Sequence, residues 1–285
     1  MPNGEGDNGM ATAKELFDAG QLQAAIDELT SEVKANPADM SRRVFFFGLL
    51  CFAGEWDRAE KQLDVLGLQD AQSDIGARIY RQNIAAERKR EQTLAGKGFP
   101  KFMLEPPGYV ALQLKALGQI GAGACTEARA LLDRAAEESP VLNGTLDGEP
   151  FQNFRDADDL INSVMEVFLQ GEYIWLPFEQ IRNVEIFPPN HLRDLIWARA
   201  RIQTVDGAGA FTGEVFIPVL YANSHQREND QARLGRMTDW RPLGDEIYAG
   251  VGQRLFLIGD EDKAMLEVRA IDFESPAPLT MSPAG

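Results

Sequence analysis

Two histidines, His191 and His225, and two cysteines, Cys51 and Cys125, are the residues of this 285-residue chain best suited to metal binding or nucleophilic chemistry. Their spacing argues against both. Neither histidine stands at ligand spacing from the other or from a cysteine, whereas structural zinc sites draw on close-set pairs of such residues. His191 follows Pro188-Pro189-Asn190 and is placed to cap or begin a helical turn; His225 falls in a polar connection. Asp156, Asp158 and Asp159 are expected at the start of an amphipathic helix that runs to about residue 169 and stops at Gly171. There they would favour the positive end of the helix dipole. Asp260-Glu261-Asp262 lacks the spaced oxygen ligands of a calcium loop and reads as a hairpin tip. Gly121-Ala122-Gly123 and Gly250-Val251-Gly252 lack the strand-to-helix setting of a dinucleotide site, and no phosphate loop or Gly-x-Ser-x-Gly elbow occurs. The expectation is a protein without cofactor, metal or active site. Two alternatives stay open. A hydrolase would need a pocket that gathers Glu179, Arg193, Asp194 and His225, and a phosphate sensor would use Arg193, Arg199 and Arg201.

Net charge narrows the partners. The chain carries −16 in all; residues 1–140 hold 16 basic and 21 acidic side chains, and residues 141–285 hold 12 and 23. Such a field repels phosphate backbones and anionic lipid, so neither nucleic acid nor a membrane surface is an expected partner. The longest apolar stretch, residues 44–53, is about half of a membrane span, and the first residues lack the basic and apolar regions of a signal peptide. Cys51 and Cys125 are 74 positions apart and are expected as free thiols. These features predict a cytoplasmic protein.

The elements that carry these residues show a repeat in the first half. Gly20, Ala25 and Leu29 recur 34 residues on as Gly54, Ala59 and Leu63, and again as Gly123, Ala128 and Leu132; Pro37 and Pro140 each lie twelve beyond an alanine of the set. This is the second half of a tetratricopeptide repeat. Its glycine allows a sharp turn between antiparallel helices, its alanine sits at their closest approach, and its proline ends the second helix. Helices are predicted at 12–19, 22–35, 41–53, 57–66, 74–93, 109–120 and 126–138, with a loop at 96–108. Such pairs stack to leave a concave face, formed mainly by each pair's first helix, that accepts an amphipathic helix or extended peptide. Phe45 and Phe46 are candidate anchors there, and the basic residues Arg78, Arg81 and Arg88 are a candidate dock for an acidic partner.

Beyond Pro140 the texture changes. Residues 141–150 read as a turn-rich linker. Strands are predicted at 173–176, 184–187, 198–205, 212–218, 253–258 and 264–271, with hairpin turns at 206–207 and 259–262, and Trp175, Trp197 and Trp240 are expected to be largely buried in their core. The fold class is therefore α+β: tetratricopeptide-like helical repeats over 12–140, then a small α+β domain over 151–273 with a bent antiparallel sheet or partial barrel. Residues 1–11 and 274–285 are expected to be disordered.

Several phrases resemble the ImpE family, also called TagJ or SciE-type proteins, accessory components of type VI secretion clusters. Trp175-Leu176-Pro177-Phe178-Glu179 and Leu192-Arg193-Asp194-Leu195-Ile196-Trp197 are the most distinctive. Leu16-Phe17-Asp18-Ala19-Gly20, Asp57-Arg58-Ala59-Glu60-Lys61-Gln62-Leu63, Thr238-Asp239-Trp240 and Gly259-Asp260-Glu261-Asp262 accompany them. The resemblance implies a cytoplasmic, non-catalytic adaptor that binds a helix of the small contractile-sheath subunit. It also implies an influence on sheath assembly or on recycling by a ClpV-type AAA+ ATPase.

Overall fold

In a computed structural model, which describes residues 8–207 and 209–274, the chain is α+β: helices fill the first half and antiparallel strands most of the second. The disorder expected at the two ends falls almost wholly outside the described residues; the first helix already begins at Asn8.

Seven helices come first: α1 (Asn8–Asp18), α2 (Leu22–Ala35), α3 (Met40–Phe52), α4 (Trp56–Leu66), α5 (Ala71–Leu94), α6 (Gly108–Gly121) and α7 (Cys125–Glu138). α1 packs on α2, α3 on α4 and α6 on α7, and the turns between them use Gly20, Gly54 and Gly123 at φ of +76°, +68° and +79°. L side chains seldom adopt that conformation. Ala25, Ala59 and Ala128 have no exposed surface, and Leu29, Leu63 and Leu132 are buried beside them. α5, a 24-residue helix outside these pairs, packs on α4, and the loop after it lays Lys101 against Ile174, covering a strand edge of the second half.

The second half holds β1 (Asn143–Leu146), β2 (Glu149–Gln152), β3 (Phe154–Asp156), β4 (Val164–Leu169), β5 (Glu172–Pro177), β6 (Ile181–Ile186), β7 (Trp197–Thr204) and β8 (Thr212–Pro218). After a short helix α8 (Asp230–Arg233) come β9 (Thr238–Gly244), β10 (Ile247–Gly252), β11 (Leu255–Ile258), β12 (Glu261–Ala264) and β13 (Ala270–Phe273). The main sheet has eight strands in the order β2-β1-β13-β6-β7-β8-β4-β5; β9 and β10 form a separate hairpin, and β3 joins β11 and β12 in a third sheet.

Four expectations are corrected. The linker at 141–150 is the hairpin of β1 and β2, which turns on Asp147 and Gly148 at φ of +52° and +90°, values of a tight mirror-image turn. The helix expected at 156–169 is absent. Asp156 and Asp158 instead accept backbone N–H groups of Asp158 and Leu160 in a local turn, and residues 164–169 are β4. β4 is buried on both faces, so its sequence Val-Met-Glu-Val-Phe-Leu shows no alternation that would mark it as a strand. The strand expected at 264–271 is split by a 3-10 turn, Met265–Glu267, into the end of β12 and β13. Trp240, expected in the core with Trp175 and Trp197, is 37% exposed because β9 lies in the two-stranded hairpin and faces solvent; the other two are fully buried.

Ala59 lies at a helix contact with no exposed surface. Replacing it with leucine should cost about 1–3 kcal/mol by overpacking. Urea unfolding followed by circular dichroism measures this, and an unchanged midpoint would remove Ala59 from the closest approach of α3 and α4.

Candidate functional site

The two halves meet around a buried set of charges. Arg90, on the inner face of α5, donates from Nε and Nη2 to the two carboxylate oxygens of Glu166 on β4 at 2.8 and 2.7 Å, and also to the Leu220 carbonyl. Glu166 is also paired with Arg254, whose other nitrogen reaches Asp156 at 3.0 Å. Tyr173 donates to Glu166, Trp175 donates to Tyr173, and Tyr221 donates to Asp156. Trp197 donates to Glu87, one turn before Arg90. Burial by itself would raise the Glu166 carboxyl, but Arg90 and Arg254 outweigh it and bring the group down to about 2. Asp156 and Asp158 go the other way: burial lifts them to about 6 and about 7, with Arg254 opposing it at Asp156 and the neighbouring Asp156 charge adding to it at Asp158. Each of these charged side chains is engaged by another part of the same core, so the cluster holds the halves together.

The chemistry-bearing residues named from the sequence are dispersed around this core. Glu179 sits by Tyr109 of α6, whose hydroxyl it approaches. His225 packs edge-on against Trp56 with centroids 5.9 Å apart, over the α3–α4 turn, where any side chain at Gly54 would collide with the imidazole. Burial lowers its pKa. Arg193 stacks on Tyr80 and donates to its hydroxyl, while Asp194 accepts the backbone N–H groups of Asn190 and His191 at 2.9 Å each. The open groove that Arg193 and Asp194 line includes neither Glu179 nor His225, so the hydrolase constellation does not assemble. Among the described residues no group of three or more His, Cys, Asp or Glu is placed to hold a metal ion, and no helix is long and apolar enough to cross a membrane.

The candidate binding residues divide. Phe46 is only 4% exposed and lies under the Arg58 guanidinium, so its ring is already used by the core and has no face for a partner. Phe45 is half-buried against Phe17 of α1, with ring centroids 5.9 Å apart. The two line a groove of about 520 Å³ with Leu192 and Leu195 of a 3-10 turn (Leu192–Leu195). That turn was not expected on the helical half. It rests on α3 because Leu192 packs against Gly48, where a Cβ would come within 2.8 Å of the leucine. The basic residues are matched locally: Arg78 pairs with Asp74 and Arg81 with Asp64, and Arg88 bridges Asp57 and Glu60. Exposed pairs of this sort contribute little to stability, but they leave less free charge for a partner than the sequence run suggested.

Two outcomes follow from the core. Glu166→Gln strips the counter-charge from two buried arginines and should destabilise the chain by about 3–5 kcal/mol, measured by chemical denaturation. With pKa values of about 6 and 7, Asp156 and Asp158 hold protons in the folded chain that the unfolded chain has released, so their contribution grows as pH falls from above 7 toward about 4. Glu166, at about 2, contributes fully above its ordinary range and is lost as pH falls below about 4.5. The thermal midpoint should therefore be higher at pH 6 than at pH 8 and drop below about pH 4. Scanning fluorimetry at constant ionic strength checks this, and a midpoint that falls from pH 8 to pH 6 contradicts it.

Comparison with known proteins agrees with this architecture. The chain is 34% identical over 262 residues to the type VI secretion system accessory component TagJ of Pseudomonas aeruginosa, an alignment covering 92% of this chain and 91% of that protein. A crystal structure of a Vibrio parahaemolyticus protein, 26% identical, superposes with a TM-score of 0.84 over 95% of this chain and all of that one. Residues 148–272 match the family model described as ImpE protein. With that much of its length aligned at that identity, the chain belongs to the ImpE family.

Proposed function

We propose that this protein is a non-catalytic, cytoplasmic accessory component of a type VI secretion system. The observation that carries this reading is the alignment with TagJ over 92% of the chain. In this reading the helical pairs are tetratricopeptide-like repeats, and a bent antiparallel sheet or partial barrel braces them. The partner is an amphipathic helix of the small contractile-sheath subunit, and its capture influences sheath assembly or recycling by the ClpV-type ATPase.

The groove lined by Phe17, Phe45, Leu192 and Leu195 supports the helix as ligand. Phe17 and Phe45 lie on the first helices of two successive pairs, the positions that face the hollow of a repeat stack. An apolar groove of this kind suits the apolar face of an amphipathic helix. Lys14 and Asp18 at its rim pair with each other, so the contact draws on apolar burial more than on charge.

Titrating the full chain against fluorescent peptides that tile the small sheath subunit tests the proposal. One peptide should bind, and Phe45→Ala should weaken it by roughly tenfold or more, as loss of a central anchor does. Arg78→Ala should leave it within about twofold. Binding should weaken only modestly between low and physiological salt. Failure of every peptide to bind, or binding that Phe45→Ala leaves intact, would remove the groove from the proposal.

A further inference from the structure

On the far side of the same 3-10 turn, a second and larger groove of about 800 Å³ runs between α5 and the sheet. Its two walls differ in chemistry. α5 contributes Ile75 and Ile79, one helical turn apart and 59% and 36% exposed. Exposed isoleucines in register on one helix face are costly to leave in water. The opposite wall carries Arg193 of the 3-10 turn and Arg199 of β7. The carboxylate beside them, Glu214, is shared between Arg199 and Arg201 at 3.1 and 3.8 Å, and Asp194 is committed to backbone N–H groups. With Arg201 counted, three arginines stand here against two carboxylates, and Arg193 is stacked on Tyr80 without a carboxylate partner of its own among the described residues. Asn83 lines the same groove; it is 3% exposed, and its Nδ2 has no hydrogen-bond partner among the described residues. A buried donor left unpaired is unfavourable, and an acceptor on a ligand would satisfy it.

The shape of the ligand follows from the sheet. β4 meets β8 through one residue pair, Phe168 with Phe216, and then turns back at Gln170 and Gly171. The Glu214 end of β8 thus has β7 on one side and, among the described residues, no strand on the other. An extended segment fits such an edge and brings backbone carbonyls to Asn83, whereas a helix would keep its carbonyls for itself. Because side chains alternate along a strand, a segment with apolar and acidic residues in turn would set one kind on Ile75 and Ile79 and the other on the arginines. We propose that this groove binds an extended peptide whose carboxylates pair with Arg193 and Arg199 and whose apolar side chains cover Ile75 and Ile79. The ligand is a carboxylate and not a phosphate, since Glu214 within the cluster penalises a second negative charge.

The proposal is independent of the Phe45 groove. The test uses the full chain and three fluorescein-labelled eight-residue peptides in which leucine alternates with glutamate, with glutamine or with phosphoserine. The glutamate peptide should bind on the order of tenfold more tightly than the glutamine peptide. Arg193→Gln combined with Arg199→Gln should erase that difference. Ile75→Asp, at an exposed position that leaves the fold undisturbed, should weaken both peptides by about fivefold or more. Phe45→Ala should change none of these values. Equal affinity of the glutamate and glutamine peptides, a preference that survives the double substitution, tighter binding of phosphoserine, or sensitivity to Phe45→Ala would each overturn it.

Discussion

The bidentate pairing of Arg90 with Glu166 is the contact on which the rest of the molecule depends. Two charges cannot be taken out of water unless each meets the other and the remaining donors and acceptors are also engaged. Here the second requirement builds the fold: Arg90 must also find Leu220, Glu166 must also find Arg254 and Tyr173, and Arg254 must find Asp156. One helix, three strands and two loops are thereby tied into a single geometry. Trp197 adds a stacked contact to Trp56 at 6.3 Å and to Tyr80 at 6.2 Å, and its ring N–H reaches Glu87. Hydrophobic packing would tolerate small slips between the halves; the hydrogen-bonded network does not.

With α5 fixed, the second half also clasps the turn ends of the helical pairs. Asp230 accepts the N–H of Leu22 and so supplies the first-turn partner that Gln21 does not give α2. Arg236 donates to the carbonyls of Phe17 and Asp18 at the end of α1. His225 covers Gly54, and Leu243 and Asp245 accept hydrogen bonds from Cys125 and Thr126 at the start of α7. These contacts close one end of the pairs. They leave the side of the stack where the 3-10 turn of Leu192–Leu195 sits as a ridge between an apolar groove and one of mixed apolar and charged lining.

That placement explains why the residues with chemical potential do not converge on one site. Glu179, Arg193, Asp194 and His225 each close a different junction between elements. Glu179 meets a tyrosine, Arg193 stacks on another, Asp194 holds a turn and His225 covers a glycine. These four polar groups are each engaged in holding the fold.

Short-range signals in the sequence determined a good deal. The 34-residue recurrence of Gly, Ala and Leu identified the helical pairs, because a left-handed turn, a close helix approach and a core leucine each demand a particular side chain whatever surrounds them. The strands at 173–176, 184–187, 198–205 and 212–218 were likewise legible from apolar runs bounded by turn residues. β4 was not, since a strand buried on both faces loses the alternation that would distinguish it from a helix. Asp147-Gly148 carried a hairpin signal, but without the flanking strand pairing it could not be told from a linker. Only the tertiary structure decided that Phe46 is core while Phe45 faces a groove, because one step along a helix turns a side chain by about 100° and the repeat does not say which face is covered. The same holds for the arginines: the chain shows Arg88, Lys89 and Arg90 as one basic run, and folding sends Arg88 to surface carboxylates and Arg90 into the core, since Glu166, 76 residues away, is brought beside it only by the docking of the sheet.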